Sequence, residues 1–397
     1  MQISMICCPF KTSYGNYASA LIAAIEKKTG SEVKWVASNC GCGDAMETRR
    51  DFQTQKCDYF EMVVPGEYRS AVAWKRSFRE VTRNSIFYIR AKRYASRSRN
   101  SEVVHFQQIL NAYGSTVVFH WLRQPSDAIR IVTVHELDRD QVEVPEKNQL
   151  YNLADGIIVH CEDMKRRLID LKVQEDKVHV VLHGVSVPEA LPNVRRDAIV
   201  FYAGHKPMSG KGMQNLFKAM SMVLERLGEH TPTLKIHGHY GEITPEEGKK
   251  LAEANGIANK IVWLNQLSIN EIVNLYQQSL MLILPFTGSF AGLPASLAAA
   301  NRLPIICTQK AGLPDHLADS PVWIDPENSE QLADRILELL RDEQRRQEVA
   351  IRQLNRAKSH LRWEVIAEQT VNIYEQGIAR KTQPSSSQMQ PEETTVV

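Results

Sequence analysis

Short apolar runs separated by longer amphipathic stretches recur along nearly the whole chain, in two series with a polar, proline-containing break between them. In the first series, residues 3–8, 33–37, 103–105, 129–134, 156–159 and 178–182 read as strands buried on both faces. Between them, 17–27, 107–122 and 162–171 carry apolar residues at helical spacing. Consecutive strands joined by helices are parallel, and a parallel sheet needs helices on both faces. The break is Val187-Pro188-Glu189-Ala190-Leu191-Pro192-Asn193-Val194-Arg195-Arg196, with the composition of a hinge. The second series offers strands at 198–203, 233–237, 261–264, 280–284 and 304–307, with a short one at 322–324. Its helices fall at 213–227, 245–255, 268–278, 294–301 and 329–340. The pattern predicts two doubly wound, Rossmann-like α/β domains, 1–187 and 198–360, joined by a hinge at 188–197. Such sheets bind ligands at their strand carboxyl ends, so the two sets are expected to face one cleft.

Composition narrows the class. With 43% hydrophobic and 24% charged residues in 397, the chain can bury a core in each domain. A formal charge of +2 points neither toward nor away from a polyanionic partner. No run reaches the ~18–20 apolar residues of a membrane span. The first ten residues lack the basic start and cleavage site of a secretory signal. Seven scattered cysteines suit a reducing cytoplasm better than a disulfide framework, and a cytoplasmic location is expected. Cys40, Cys42 and Cys57 lack a regularly spaced fourth ligand and are read as loop thiols. Residues 343–378 read as helical, and the polar tail 381–397 as disordered.

Six fragments, in order, carry a resemblance. Phe201-Tyr202-Ala203-Gly204-His205-Lys206 leads to Lys211-Gly212 at the opening of a helix. Leu284-Pro285-Phe286, Gly292-Leu293-Pro294 and Asn301-Arg302-Leu303-Pro304-Ile305-Ile306 follow, then Ala311-Gly312-Leu313-Pro314-Asp315. Trp363-Glu364-Val365-Ile366-Ala367, ending at Tyr374, closes the series. Together they resemble the family-4 group of retaining GT-B glycosyltransferases (glycosyl transferases group 1). In the first half, Val132-Thr133-Val134-His135, Ala154-Asp155-Gly156-Ile157-Ile158-Val159 and His183-Gly184-Val185 fall in family order. The resemblance implies the GT-B architecture, with an acceptor-side N-terminal domain and a nucleotide-sugar-binding C-terminal domain. It also implies a crossover helix at 361–380 that returns to the first domain, and no metal cofactor.

The residues make chemical sense of this. A nucleotide-sugar presents a diphosphate, and Lys211 stands where a loop meets a helix N-terminus, so amides, helix dipole and ammonium can converge on an anion. Either His205 or Lys206 takes the place of the family's arginine. The loop Thr287-Gly288-Ser289-Phe290-Ala291-Gly292-Leu293 has the small residues of an anion cradle. The family places two glutamates eight residues apart here, the second holding the ribose. This sequence has Ser289 and Leu297 at those positions, and no acidic residue between Glu271 and Asp315. Either Ser289 and Ser296 with backbone groups hold the donor more weakly, or the donor is unusual, or the site is degenerate. The resemblance puts His135 beside the transferred sugar as an orienting group, and Gly15 in the loop near donor phosphate and acceptor. It also implies front-face attack with the leaving phosphate taking the acceptor's proton, which asks the protein mainly for positioning and electrostatics. His105 and His120 are read as structural, and Asp138-Arg139-Asp140 as a solvated turn.

Between Arg69 and Arg99 stand ten basic residues and one acid, Glu80, with Trp74, Phe78, Val81 and Tyr88 near helical spacing. Residues 69–99 therefore read either as a surface for anionic lipid or a phosphorylated acceptor, placing the protein on the inner face of a membrane, or as a domain helix with solvated charges. No nucleic-acid module accompanies the charge. Three functions follow: transfer of a sugar from a nucleotide-sugar to a hydroxyl of a glycan or lipid-linked acceptor; a non-catalytic GT-B-fold binding or regulatory subunit; or phosphorolysis or epimerisation in the same cleft.

Overall fold

The computed structural model describes residues 1–7, 13–38, 57–60, 100–107, 122, 126–135, 137, 151–192, 194–204, 212–238, 245–264, 267–288, 292–310 and 312–382. Two wholly parallel sheets organise them. Strands β1 (Ile3–Cys7), β2 (Val33–Ser38), β3 (Cys57–Phe60), β4 (Val103–Gln107), β5 (Ile129–Val134), β6 (Gly156–Val159) and β7 (Val178–Val180) lie in the order β3-β2-β1-β4-β5-β6-β7. Strands β8 (Ala198–Gly204), β9 (Thr233–Gly238), β10 (Ile261–Trp263), β11 (Ser279–Leu284), β12 (Ile305–Thr308) and β13 (Val322–Ile324) lie in the order β10-β9-β8-β11-β12-β13. Both are the 3-2-1-4-5-6 order of the doubly wound fold, the first with one more strand at its edge.

The period of two along each strand divides the core between the sheet faces. In β5, Ile129 and Ile131 join one apolar cluster while Val132 and Val134 join the other. In β11, Met281 and Ile283 face one way, Leu282 and Leu284 the opposite way. Helix α1 (Ser13–Thr29) covers the first face of the first sheet, and α2 (Glu162–Asp170) buries Met164 and Leu168 on the second. On the second sheet, α3 (Met213–Leu227) is followed by α4 (Pro245–Ala254), α5 (Ile269–Gln277), α6 (Leu293–Ala300), α7 (Leu313–Leu317), α8 (Ser329–Arg341) and α9 (Glu343–Arg356). The apolar stripes of α3 and α8 share one face, and α6 and α7 cover the other. Helix α5 starts at a capping box in which Ser268 and Glu271 exchange hydrogen bonds, satisfying two donors that a helix start otherwise leaves open.

The last helix, α10 (Trp363–Thr382), returns to the first sheet, as the family resemblance implied. Its Ile366, Ala367, Val371, Ile373 and Tyr374 complete the core that α1 shares with β1, β4 and β5. The Tyr374 hydroxyl lies 2.6 Å from His105 Nδ1, and Lys381 donates to the carbonyls of Ser126 at 2.8 Å and Ala128 at 2.9 Å.

Several expectations are corrected. The helical stretch expected over 343–378 is two helices, separated by a π-type turn at Ala357–Leu361 and an extended Arg362. At that break Val185 N–H donates to the Leu361 carbonyl at 2.7 Å and Val185 bridges Arg362, so the linker holds the chain straight for a residue. Gly184 lies against the Trp363 indole, where no side chain would fit. Lys381 and Thr382, expected in the tail, belong to α10. Strand β3 was not anticipated; Cys57-Asp58-Tyr59-Phe60 has no aliphatic residue and carries a carboxylate. The helix expected from 107 does not include Gln107, which ends β4; residues 108–121 lie outside the described ones. Cys40 and Cys42, His120, Asp138-Arg139-Asp140, the basic stretch 69–99 and the tail from 383 also lie outside them.

Candidate functional site

The carboxyl ends of adjacent strands in the first sheet each deliver a polar ring or amide to one seam. Gln107 ends β4, His135 follows β5, His160 follows β6, and His183 stands three residues beyond β7. All four are buried. His135 Nε2 lies 2.8 Å from the Gln107 side-chain amide, and His135 Nδ1 lies 3.0 Å from His160 Nε2. His160 Nδ1–H donates to the Val181 carbonyl at 2.8 Å. The His160 and His183 rings lie 3.8 Å apart between centroids. Tyr17 of α1 meets His135, His160 and His183 edge-on, at 4.8, 5.2 and 5.8 Å.

Burial governs the electrostatics. It is the largest cause of the lowered pKa of each ring, because an imidazolium loses its hydration there. His160 and His105 fall to about 3, and His135 and His183 lie well below the ordinary range, with neighbouring rings adding smaller repulsions. All four are neutral near pH 7.

The seam continues into the second half. His183 N–H donates to His316 Nε2 at 3.2 Å, and His316 Nδ1–H donates to the Gly312 carbonyl at 2.7 Å. Gly292, the residue before α6, sits so close to the His316 ring that an added Cβ would stand 2.8 Å from it. An unbroken line of contacts thus runs from His135 to the glycine that opens α6. Beside it, Asp315 accepts from the Glu162 N–H at 3.3 Å and so supplies α2 with an N-terminal carboxylate from the other half. Burial raises the Asp315 pKa.

A second close approach lies at the start of α3. Gly212 has φ +74°, and a Cβ there would overlap the Pro285 carbonyl. The helix start after β8 is therefore pressed against the end of β11, where the small-residue loop begins. Neither α3 nor α6 has a side-chain cap, so their first-turn amides have no cap partner among the described residues.

Of the residues singled out from sequence, His135 and Gly292 join the same seam, and Gly15 lies on α1 one turn or less before Tyr17. Gly288 and Leu293 flank the loop between β11 and α6. His205, Lys206, Lys211, Ser289, Phe290 and Ala291 lie outside the described residues. Leu297, where the family has a glutamate, is buried in the apolar cluster of α6, and the neighbouring Ser296 Oγ is buried without a partner among the described residues. Sequence reasoning assigned no role to Tyr17, Gln107, His160, His183 or His316. The available signal was positional, since His135 and His160 each stand one residue beyond a predicted strand.

Two doubly wound parallel sheets meeting at their strand ends, with a final helix returning to the first, define the GT-B class of glycosyltransferase fold. The family models agree: "Glycosyl transferases group 1" matches residues 188–355 and "Glycosyltransferase Family 4" matches residues 16–188. The chain belongs to this glycosyltransferase family. It is 26% identical over 273 residues to a D-inositol 3-phosphate glycosyltransferase of Corynebacterium glutamicum, covering 61% of this chain and 64% of that protein. The alignment therefore spans less than two thirds of the relative. Among solved structures, sucrose-phosphate synthase of Thermosynechococcus elongatus superposes with a TM-score of 0.70 at 16% identity, over 96% of this chain and 100% of that one. Anabaena HepE in complex with UDP superposes with a TM-score of 0.70 at 12% identity, over 95% and 100%. At these identities the two structures establish the fold. Among the described residues no helix is long and apolar enough to cross a membrane.

Proposed function

We propose that the chain is a retaining glycosyltransferase that moves a sugar from a nucleotide-sugar donor to a hydroxyl acceptor. The observation that carries this reading is the continuous seam from His135 at the end of β5, through His183 and His316, to Gly292 at the start of α6. It joins the strand ends of both sheets, where doubly wound folds take their ligands. In this reading residues 1–187 form the acceptor side, 198–360 bind the donor, and 188–197 with the helix 361–380 connect them.

The donor's diphosphate would lie between the uncapped starts of α3 and α6, which the Gly212–Pro285 contact draws together. Lys211, with His205 or Lys206, would supply positive charge, and residues 288–293 the backbone cradle. His135 would orient the sugar as a neutral ring, since burial denies it the proton a general acid needs. The protein's work is then placement and electrostatics, with the leaving phosphate accepting the acceptor's proton. No step calls on a metal. The UDP in the HepE structure and the inositol phosphate in the relative's name support a nucleotide-sugar and a polyhydroxylated acceptor as the substrate classes. Contact of residues 69–99 with an anionic membrane would suit a lipid-linked acceptor.

One observation favours a second reading, a non-catalytic binding subunit: the position of the family's ribose-holding glutamate is a core leucine, Leu297. Thermal stability against a panel of nucleoside diphosphates and nucleotide-sugars separates the two. Transfer requires that one nucleotide raise the melting temperature by a few degrees, since a ligand at ~100 times its Kd adds about 2.7 kcal/mol. A flat response across the panel would leave the binding-subunit reading in its place.

A further inference from the structure

One backbone carbonyl sets the direction of a whole series of buried hydrogen bonds. A carbonyl oxygen only accepts, so the contact with Val181 puts the His160 hydrogen on Nδ1. Burial keeps the ring neutral, which leaves His160 Nε2 a bare acceptor. Its neighbour at 3.0 Å, His135 Nδ1, must then carry a hydrogen. His135 is neutral as well, so its Nε2 is bare and needs a donor. The group 2.8 Å away is the Gln107 amide, which meets that need with its N–H and turns its oxygen toward His105 Nε2, at 3.3 Å. His105 Nε2 therefore holds its hydrogen, between that oxygen and Thr133 Oγ1 at 2.7 Å. His105 Nδ1 is left bare and accepts the Tyr374 hydroxyl at 2.6 Å.

The opposite direction fails at one point. With the Gln107 oxygen against His135, that ring would hold its hydrogen on Nε2 and set its bare Nδ1 against the bare Nε2 of His160. Two buried lone pairs would repel there, with no hydrogen between them. Turning the amide removes the conflict and changes no distance, because its nitrogen and oxygen exchange places.

We infer that Gln107 is a positioning residue for His135: its amide N–H holds the bare Nε2 while His160 accepts from Nδ1, so the ring is fixed at both nitrogens. The role rests on the reading of His135 as the group beside the sugar, and it adds how the ring is presented. Both nitrogens are engaged within the protein, so His135 meets a sugar with its carbon edge and its face. It then shapes the pocket and neither binds a hydroxyl through a ring nitrogen nor passes a proton. The series also ties the ring to the connections between the halves. Val181 lies where the chain leaves the first sheet, and Tyr374 lies on the helix that returns to it.

The test uses the full chain with nitrogen-15-labelled histidine, without nucleotide or acceptor. Long-range proton–nitrogen spectra report which nitrogen of each neutral ring carries hydrogen, and the rings are assigned by the signals that His105→Gln, His135→Gln and His160→Gln remove. The expected pattern is Nδ1–H in His135 and His160 and Nε2–H in His105. Nε2–H in His135 with Nδ1–H in His105 is the reverse order and overturns the proposal, as does a doubly protonated His135 at pH 7. Gln107→Met keeps the length of the side chain and removes the donor. In that variant the His135 Nε2 signal should move further from the protonated range, while His237, buried in the second half beside Tyr276, keeps its signals and shows that the variant folds. In transfer assays kcat should fall about 10-fold with the donor KM near the parent's. An unmoved Nε2 signal or an unchanged kcat overturns the role. Because the spectra need no donor, an inactive chain with the expected pattern would refute the transfer reading and leave the Gln107 assignment in place.

Discussion

Substituting Gly212 by alanine should do more damage than its size suggests, and a second glycine provides the control. Gly212 and Gly256 have nearly the same backbone, φ +74° and φ +68°. An L-residue in that region costs about 1–2 kcal/mol at either position. Their surroundings differ: a Cβ at Gly256 has no heavy atom within 4 Å, whereas at Gly212 it would overlap the Pro285 carbonyl, a backbone group that cannot rotate aside. Forcing extra volume into a packed site adds about 1–3 kcal/mol. Gly256→Ala should therefore lose about 1–2 kcal/mol, and Gly212→Ala about 2–5 kcal/mol. Urea unfolding of the two variants side by side measures the difference, and Gly212→Ala should also lose its nucleotide-induced stabilisation while Gly256→Ala keeps it. Equal losses, or an unchanged nucleotide response in Gly212→Ala, would refute the claim that the donor site depends on α3 pressing against the end of β11.

Tyr374→Phe deletes the hydroxyl 2.6 Å from His105 Nδ1 and leaves a buried ring nitrogen unpaired; the urea midpoint should report a loss of about 1–3 kcal/mol. His237, buried beside Tyr276 and lowered to about 4, binds a proton more readily in the unfolded chain, so its contribution is complete above about pH 6.5 and is lost as pH falls through about 4. That loss is on the order of 3 kcal/mol, and His237→Phe should show a shallower decline in stability over this window than the parent. Lys211→Ala should abolish transfer with little change in melting temperature; unaltered turnover would remove Lys211 from the donor site. Neutralising Arg90, Lys92 and Arg93 together should weaken co-sedimentation with anionic vesicles, and a parent chain that does not sediment would end the membrane reading.

The fold was legible because parallel strands must be apolar on both sides. Runs such as 129–134, 156–159 and 322–324 stand out from their surroundings and match β5, β6 and β13 to the residue. β3 was hidden because an edge strand with Asp58 and Tyr59 has no such contrast. The break at 357–362 was hidden for another reason. Nothing local interrupts the helical pattern there, and the cause is a hydrogen bond from Val185, far away in sequence. The site divided along the same line. Gly212 and Gly292 were readable because close backbone approach selects glycine whatever the partner. The partnership of His135, His160 and His183 was not, because three histidines 25 and 23 positions apart converge only once β5, β6 and β7 are placed side by side.

The chain passes between its two halves twice, through 181–188 and through 361–363, and both passages lie at one spot, bonded to each other at Val185 and Arg362. A single strand of polypeptide would act as a ball joint, free to swivel in three directions. Two strands fastened side by side behave as a door hinge, leaving one angular coordinate along which the halves can separate without tearing the fastening. Gly184, with the Trp363 ring laid directly on its Cα, keeps the pin of that hinge thin. Opening and closing about this axis would part the contacts that cross between the halves, His183 with His316 and Glu162 with Asp315, and these are the pairs a distance probe would follow.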